Sequence, residues 1–344
     1  MNGRKPLTLV GLLSLSSLLY VGAPALAQSN PGDANRTPVA PIKMPYRGER
    51  NLPDLSDIPD YLEKGGIEGL LQQRGCRVKP ISVIALGPDE KRQYGEWNRL
   101  ALANGNLARR VAEERRAGNY PIGLLANCSS LPGMLGGLQH SGPTAKPLRV
   151  GLVFIDAHGD FNTPETTLSG MLGGMPVAIS AGLCLSRMRL KAGLDPALPE
   201  RHIVLGAVRD TDPLEQDLLD RSDIEHLTVD DLRTRGENLH RQMKRLSGLV
   251  DVIYVHVDMD VLDPKEVLGH PLTVPGGPAS LELAAAIGEM FKYEKTAAFG
   301  VASTPSGERD KDGVSRQAAY NLILGAVKGI QERPSRTLGV SSTR

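Results

Sequence analysis

The sequence has no excess of charge of either sign and no block of basic residues. Its 344 residues include 40 Lys and Arg and 39 Asp and Glu, which gives a formal net charge of +1. Such a chain has no electrostatic basis for binding nucleic acid or an anionic membrane. No internal repeat is present, and beyond the N-terminus no apolar run reaches the length of a membrane span. The length suits one large α/β domain or two ordinary ones.

The N-terminus has the three parts of a secretory signal peptide. Two basic residues precede an apolar run that ends near Val21, and small residues at Ala25 and Ala27 form a cleavage site. No cysteine lies at this site, which argues against a lipoprotein, and no Arg-Arg pair precedes the run, which argues against twin-arginine export. An uncleaved anchor is the alternative, but the run is short and rich in serine. We predict that residues 1–27 are removed and that the mature protein is periplasmic or secreted, without membrane attachment.

The rest of the chain divides into an arm, a domain and a tail. Residues 28–60 are rich in proline and have no sustained period, which predicts an irregular arm or linker. Residues 61–333 form the main predicted domain, and residues 334–344 form a polar tail. Within the domain, β-branched apolar runs predict strands at residues 81–86, 122–125, 150–155, 203–208, 252–257 and 297–301. Helical spacing predicts helices at residues 94–118, 175–187, 214–221, 231–246, 281–291 and 314–331.

Continuous apolar strands that alternate with amphipathic helices predict an α/β fold in which helices cover both faces of a parallel sheet. In open sheets of this kind, ligands bind beyond the carboxyl ends of the strands. The residues that directly follow each predicted strand are therefore the candidates for function.

Two of the predicted strands end in closely spaced acidic residues. The strand at 150–155 is followed by Asp156, His158 and Asp160, and the strand at 252–257 is followed by Asp258 and Asp260. Alternate residues of extended backbone point to the same side, so each group shares a face. A lone Asp-x-Asp is more often a turn, and a lone histidine is more often a core residue. Two such groups at strand ends instead predict a metal site.

The expected metal follows from the ligands. Four carboxylates at one sheet edge repel one another unless cations neutralise them. Oxygen-rich ligands with an imidazole suit Mn²⁺ best, and Zn²⁺, Fe²⁺ or Co²⁺ are alternatives.

Four segments resemble the signature motifs of the arginase/agmatinase (ureohydrolase) family. They are DAHGDFNTP at 156–164, SGMLGGMP at 169–176, GAVRDTDPLE at 206–215 and HVDMDVLDP at 256–264. The resemblance covers most of residues 80–330. It implies a three-layer α/β/α sandwich with a mainly parallel sheet, a small guanidino or amidino substrate, and a homo-oligomer such as a trimer or hexamer.

The resemblance also implies a role for each of the acidic residues. Asp156 and Asp258 match residues that bridge two divalent metal ions, Asp160 completes the shell of one ion, and His158 and Asp260 hold the other. The implied reaction is hydrolysis of a C–N bond in a linear amidine or guanidine by a metal-bridging hydroxide, with urea or a related small molecule as product. Asp160 is the catalytic residue that passes a proton to the leaving nitrogen.

Five further residues match arginase positions around the amino-acid end of the substrate. Those matched to its carboxylate are Asn162, Thr167 and Ser169, and those matched to its α-amino group are Asp212 and Glu215. Singly, each is as typical of a turn or a helix cap. Together they favour a zwitterionic substrate over a bare amine.

Cys128 occupies the position of a metal-binding histidine of the family. A thiolate ligand there would shift the preference from Mn²⁺ toward Zn²⁺ or Fe²⁺, whereas the alternative is a buried, inert thiol. If Cys128 binds metal, Cys76 and Cys184 remain as a pair that a disulfide could join.

Three other family positions have also changed. Gly173 replaces a proton-shuttling histidine, Met171 replaces an asparagine, and Ala302 replaces the glutamate that grips a guanidinium. His270 is the candidate substitute for the lost proton shuttle. Glu308 is the candidate substitute for the lost glutamate, although a glutamate in such a loop is more typically solvated. These losses keep a second hypothesis open, in which the protein is a non-catalytic relative that binds metal and an amino acid.

The same motif contains His256, two residues before Asp258. Extended backbone would place both side chains on one face. His256 is therefore a candidate for an outer partner of the metal ligands, or for an extra ligand.

Overall fold

The computed structural model describes Gly3, residues 36–46 and residues 57–334. The described residues from Arg36 onward belong to one unit of the chain. The predicted signal peptide, apart from Gly3, and the tail beyond residue 334 lie outside the described residues. No helix in the described part of the chain combines the length and the apolar character that crossing a membrane requires.

Nine strands in the described residues form one sheet, and every pairing in it is parallel. The strands are β1 Thr37–Met44, β2 Cys76–Val78, β3 Ser82–Val83, β4 Tyr120–Leu125, β5 Val150–Ile155, β6 Ile203–Gly206, β7 Glu225–Leu227, β8 Val252–Asp258 and β9 Thr296–Ala302. Their order is β2-β1-β4-β9-β8-β5-β6-β7, and β3 pairs with β1. The predicted parallel sheet is confirmed.

Helices cover both faces of this sheet. They are α1 Ile58–Lys64, α2 Ile67–Gln73, α3 Pro88–Lys91, α4 Glu96–Arg116, α5 Leu131–Gln139, α6 Pro176–Ala181, α7 Ser186–Lys191, α8 Pro213–Leu219, α9 Val229–Thr234, α10 Glu237–Leu249, α11 Ser280–Lys292 and α12 Val314–Gln331. Alternate residues of β5 point to opposite faces. Val153 and Ile155 pack in a core with α10, α11 and α12, whereas Leu152 and Phe154 pack in a second core with α4 and α5. The predicted three-layer sandwich is therefore confirmed.

Strand β1 corrects the interpretation of residues 28–60 as an irregular arm. Its residues from Val39 onward are buried, and the strand lies inside the sheet between β2 and β4. The carbonyls of Val39 and Lys43 accept hydrogen bonds from the side of β2 and β3. The backbone nitrogen of Pro41 points to the same side of β1, in the gap between the residues that pair with β2 and those that pair with β3. Because no N–H is needed in that gap, proline is tolerated in an inner strand.

Two of the predicted helices are broken by residues in the left-handed region. The helix predicted at 175–187 is split into α6 and α7 at Gly182, whose φ is 87°. The helix predicted at 231–246 is split into α9 and α10 at Arg235, whose φ is 53°. Helix α5 was not predicted, because its three glycines are atypical of a helix. Close packing on α4 explains two of them, since a Cβ at Gly133 or Gly137 would lie 2.8 Å or 2.7 Å from a backbone carbonyl of that helix.

The strand order places the acidic segments side by side. β5 and β8 are neighbours near the middle of the sheet, and Ile155 pairs with Val257. Asp156 and Asp258 directly follow these two residues in the sequence. The segment after β4 and the segment after β9 reach the same sheet edge, because all of these strands are parallel.

Candidate metal centre

The structure brings the five predicted metal ligands together with Cys128, the thiol considered as a further ligand, and with His270. Three groups of side chains have ligand atoms within 4.8 Å of one another, namely Cys128 with Asp156 and Asp160, Asp156 with His158 and Asp260, and Asp258 with Asp260 and His270. The groups share Asp156 and Asp260 and therefore form one continuous cluster. All four aspartates are buried.

Backbone groups fix the orientation of three of these carboxylates. Asp156 accepts a hydrogen bond from the His158 N–H at 2.8 Å, and Asp258 accepts one from the Asp260 N–H at 3.0 Å. Asp260 in turn accepts the Ala157 N–H at 3.3 Å, which joins the two strand ends. These bonds hold the oxygens in place before any cation binds.

Asp160 is held by its backbone instead. Its φ of 48° lies in the left-handed region, which is uncommon for a residue with a Cβ. Its carbonyl accepts the N–H of Val177 in the first turn of α6 at 3.0 Å. The first turn of α6 therefore stabilises a turn that the side chain alone would not favour.

His158 links the two strand ends electrostatically. Its Nδ1 lies 3.3 Å from Asp156 Oδ1 and 3.2 Å from Asp260 Oδ2. Burial lowers the pKa of His158, but hydrogen bonds and attraction to these carboxylates outweigh burial and raise it to about 12. Without metal, the protonated imidazole therefore offsets part of the negative charge.

The remaining carboxylates repel one another. Burial and the charges of Asp156 and Asp258 raise the pKa of Asp160 well above its usual range, and the same causes raise the pKa of Asp260. Burial and the charge of Asp156 raise the pKa of Asp258 to about 6. Each shift reflects the cost of burying a carboxylate and of placing it beside like charges, and divalent cations offset that cost. The donor set of carboxylates with imidazole thus fits such cations.

Cys128 lies beside this cluster, just after β4. Its Sγ is 2.8 Å from Asp258 Oδ2 and 3.2 Å from His256 Nε2. Burial and the charge of Asp258 raise the pKa of the thiol well above its usual value. The other two cysteines, Cys76 and Cys184, are free and form no disulfide with each other.

The cluster forms the floor of a cavity of about 250 Å³. Among the five predicted substrate residues, those that line it are Asn162, Ser169, Asp212 and Glu215. Thr167 is not one of the lining residues. Its hydroxyl instead lies 3.3 Å from the Ser169 Oγ, and it accepts the Gly170 N–H at 3.0 Å. Thr167 thus helps to position Ser169 without lining the cavity itself.

Glu215 uses its carboxylate to hold the loop. Its Oε1 accepts the Phe161 N–H at 2.8 Å and its Oε2 accepts the Asp212 N–H at 3.2 Å. Burial raises the pKa of Glu215. Asp212 is more accessible and accepts a hydrogen bond from the Asn162 amide at 3.2 Å. Of the two acids, Asp212 is therefore the more accessible from the cavity.

The positions that depart from the family have different surroundings. Gly173 and Met171 line the cavity. Ala302 is fully buried in the core below it. Glu308 does not line the cavity, and its exposed carboxylate pairs with Lys311 at 2.7 Å. Glu308 therefore does not replace the glutamate lost at position 302.

His270 does reach the cluster from the loop after β8. Its Nε2 lies 3.7 Å from Asp258 Oδ1, and its Nδ1 accepts the Leu272 N–H at 3.2 Å. Since Nδ1 is an acceptor, Nε2 carries the proton and faces the cavity as a donor. Burial lowers the pKa of His270 to about 4, so its imidazole is neutral near pH 7.

Ser303 was not predicted from the sequence. It directly follows β9, and its Oγ donates a hydrogen bond to Asp258 Oδ2 at 2.6 Å. Like the acidic residues, it directly follows a strand, but a serine before Thr304 and Pro305 is more typical of a turn. Asp210 was also missed, although it follows β6 and lines the cavity.

Comparison with known proteins agrees with this geometry. The model of the arginase family matches residues 96–326. Arginase from Entamoeba histolytica is 28% identical over 261 residues, which cover 74% of this chain and 86% of that protein. Its structure in complex with L-ornithine has a TM-score of 0.73, at 23% identity, and covers 85% of this chain and 98% of that one.

Two further solved structures share the fold. Arginase from Bacillus subtilis has a TM-score of 0.74 at 22% identity and covers 85% of this chain and 98% of that one. Formimidoylglutamase from Bacillus subtilis has a TM-score of 0.67 at 17% identity and covers 87% and 88% of the two chains. Because the family model matches more than half of the 344 residues, this chain belongs to the arginase family.

Proposed function

We propose that the protein is a metal-dependent hydrolase that cleaves a linear C–N bond of a small zwitterionic guanidino or amidino compound. The observation that carries this proposal is the convergence of four buried aspartates and His158 at one sheet edge, within an arginase-family chain. A cluster of like charges of this kind destabilises the fold unless it binds cations. A role that depends on bound metal is therefore the best explanation for its presence.

Two groups of donors would each hold one cation. The first consists of Cys128, Asp156 and Asp160, and the second consists of Asp156, His158 and Asp260. Two divalent ions bound there would supply an activated water for attack on the amidino carbon. Mn²⁺ suits the oxygen-rich donors best, and Zn²⁺, Fe²⁺ or Co²⁺ become more favourable if Cys128 is a ligand.

Asp160 is the residue that we assign to proton transfer. Its carboxylate faces the cavity and is held by the turn at the start of α6. Asp160 belongs to the donor group of one cation together with Cys128 and Asp156, so its carboxylate would lie beside a water bound to that cation and could accept its proton. It would take a proton from the attacking water and deliver it to the leaving nitrogen.

The amino-acid end of the substrate would lie at the cavity wall formed by Asn162, Ser169 and Asp212. The amide and the hydroxyl donate to a carboxylate, and Asp212 pairs with an ammonium. The bound L-ornithine of the Entamoeba histolytica arginase supports an amino-acid ligand. Thr167 and Glu215 would position this wall without touching the substrate.

The identity of the amidino group is less restricted. Ala302 offers no counter-ion to a guanidinium, and Met171 adds an apolar contact to the cavity. An uncharged or smaller amidino group therefore suits this end as well as a guanidinium does. The formimidoylglutamase among the fold neighbours supports this wider class.

The test combines metal content with turnover. The purified protein is loaded with Mn²⁺ or Co²⁺, analysed by mass spectrometry, and assayed for urea, ammonia or formamide release from amino acids with guanidino or amidino groups. We expect two metal ions per chain and turnover of at least one compound. Two bound ions without turnover of any compound would support the non-catalytic relative instead.

A further inference from the structure

We propose that Tyr254 and His256 form a buried positioning chain that presents Cys128 as a thiolate ligand to one of the two cations. The inference rests on the metal site of the proposed function, but it does not depend on turnover. It is carried by three successive contacts. Tyr254 Oη lies 2.9 Å from His256 Nδ1, His256 Nε2 lies 3.2 Å from Cys128 Sγ, and Sγ lies 2.8 Å from Asp258 Oδ2.

The direction of the hydrogen bonds follows from what each group can satisfy. His256 is the only hydrogen-bond partner of the Tyr254 hydroxyl within the described residues. A buried hydroxyl without an acceptor is costly, so Tyr254 donates to Nδ1. The neutral imidazole then carries its proton on Nε2 and donates it to the sulfur of Cys128. The sulfur therefore accepts on this side, and without metal its own S–H donates to Asp258 Oδ2, so a bound cation would take the place of that proton.

Packing holds the side chains of Tyr254, His256 and Cys128 in this arrangement. Tyr254 and His256 are 0% exposed and Cys128 is 1% exposed. The imidazole stacks on Phe154, with ring centroids 5.0 Å apart and planes at 7°. Gly300 of β9 leaves room for the tyrosine, because a Cβ at this position would lie 2.0 Å from Tyr254 Oη. The ring of His256 thus has no freedom to turn toward another partner.

This arrangement matches what a buried thiolate ligand requires. An N–H donor behind the sulfur stabilises its negative charge and fixes its orientation, as outer hydrogen-bond partners do at metal sites. On binding, the sulfur–cation bond forms and the thiol proton is released to solvent. Cys128 already forms one group with Asp156 and Asp160, whereas the second group contains only oxygen and nitrogen donors. The two cation positions are therefore chemically unequal, and the softer one lies beside Cys128.

The experiment uses Co²⁺ added to the metal-free full chain, because a thiolate bound to Co²⁺ gives a charge-transfer absorption in the near ultraviolet. We expect this band in the unaltered protein and its loss in Cys128→Ser. His256→Phe keeps the stacking but removes the donor, and we expect it to weaken Co²⁺ binding by about 10- to 100-fold and to shift the band. His256→Gln keeps an N–H donor and should restore part of the affinity.

A control variant and a melting experiment separate a specific effect from misfolding. His202 is a buried histidine at the opposite end of the sheet, before β6, so His202→Gln should leave both the band and the affinity unchanged. If His256→Phe lowers the melting temperature but leaves the absorption band and the Co²⁺ affinity unchanged, Tyr254 and His256 have only a structural role and the proposal is wrong.

The outcomes also separate this proposal from the proposed function. Two bound Co²⁺ ions without a thiolate band would overturn the role of Cys128 and leave the metal site in place. Absence of any Co²⁺ binding would overturn the metal site itself.

Discussion

Asp160 has both a left-handed backbone conformation and a carboxyl group with a raised pKa. Its φ of 48° belongs to the turn between β5 and α6, and burial together with the charges of Asp156 and Asp258 raises its pKa. Strain of this kind persists only where the surroundings stabilise it, and it occurs preferentially at functional sites.

We expect Asp160→Ala to reduce turnover by at least about 10²-fold, the usual contribution of a proton-transferring residue. The fold should remain intact, because the backbone bond from Val177 to the carbonyl of residue 160 does not involve the side chain. Steady-state kinetics and circular dichroism check the two parts. Asp160→Asn is the matched control for shape, and turnover at the normal rate in either variant would refute the assigned role.

A surface pair predicts a pH-dependent contribution to stability. Hydrogen bonds from Arg149 lower the pKa of Asp251 to about 2, with side-chain atoms 2.6 Å apart. A lowered pKa in the folded state contributes stability above the unfolded value of about 3.9. That contribution is lost as the pH falls through about 2. Because the two side chains are 59% and 36% exposed, solvent screening keeps this contribution small.

The variant Asp251→Asn tests this contribution. Urea unfolding at pH 7 should show a small destabilisation, and the difference from the unaltered protein should shrink between pH 4 and pH 2. A difference that stays constant over this range would mean that the charge of Asp251 is not its cause.

At the scale of single residues, the sequence predicted the acids but not all of their partners. Asp156, Asp160, Asp258 and Asp260 follow uninterrupted apolar strands, and strand periodicity places them. His270 lies in a loop that has no period, so its distance from Asp258 depends on tertiary packing. The burial of Ala302 likewise follows only from the packed sheet.

Helices α11 and α12 approach each other closely because glycine lies at their contact. A Cβ at Gly329 of α12 would lie 2.2 Å from the Gly288 carbonyl of α11. Any larger side chain would push the two helices apart, and with them part of the core on that face of the sheet.

We expect Gly329→Ala to lower the free energy of unfolding by about 1–3 kcal/mol through overpacking. Gly248→Ala in α10 is the matched control, because its Cβ would meet nothing within 4 Å. This control should be neutral or stabilising by up to about 1 kcal/mol, since alanine favours helix more than glycine does. Denaturant unfolding measures both. Equal effects of the two substitutions would argue against the close contact.

At the scale of elements, the long apolar strands were predicted well, whereas the three-residue strands β2 and β7 and the strand β1 with two prolines were not. β4, β5, β8 and β9 are buried on both faces and read as continuous apolar runs. β1 contains two prolines, which are atypical of an inner strand. Its place inside the sheet depends on a gap between the residues that pair with β2 and those that pair with β3, which the sequence does not reveal. Helix α5 likewise depends on its contact with α4, since its own composition does not favour a helix.

The whole molecule should be more stable with metal than without it. Bound cations relieve the repulsion within the cluster, and any ligand that binds only the folded state adds RT ln(1 + [L]/Kd), about 2.7 kcal/mol at 100 times Kd. We expect chelation to lower the melting temperature and Mn²⁺ to restore it. Asp156→Asn, which removes the donor common to the two cation groups, should abolish the response. A melting temperature that is insensitive to metal in the unaltered protein would contradict the site.

Export of the chain is a prediction from its first 27 residues, which lie almost entirely outside the described part of the structure. We propose that cleavage follows Ala27, so the mature protein begins at Gln28. N-terminal sequencing of the protein recovered from the periplasm or the medium tests this proposal. Recovery of the intact N-terminus from the membrane fraction would instead support the anchor.

The pairing of Ile155 with Val257 has a consequence for how the protein matures. The two halves of the cation-binding cluster are far apart along the chain and meet only when β5 and β8 are in register. A slip of one residue would turn one half toward the opposite helical layer. A chain that is still assembling its sheet would therefore have little affinity for cations, and metal loading would mark the molecules in which the long-range strand pairing is complete.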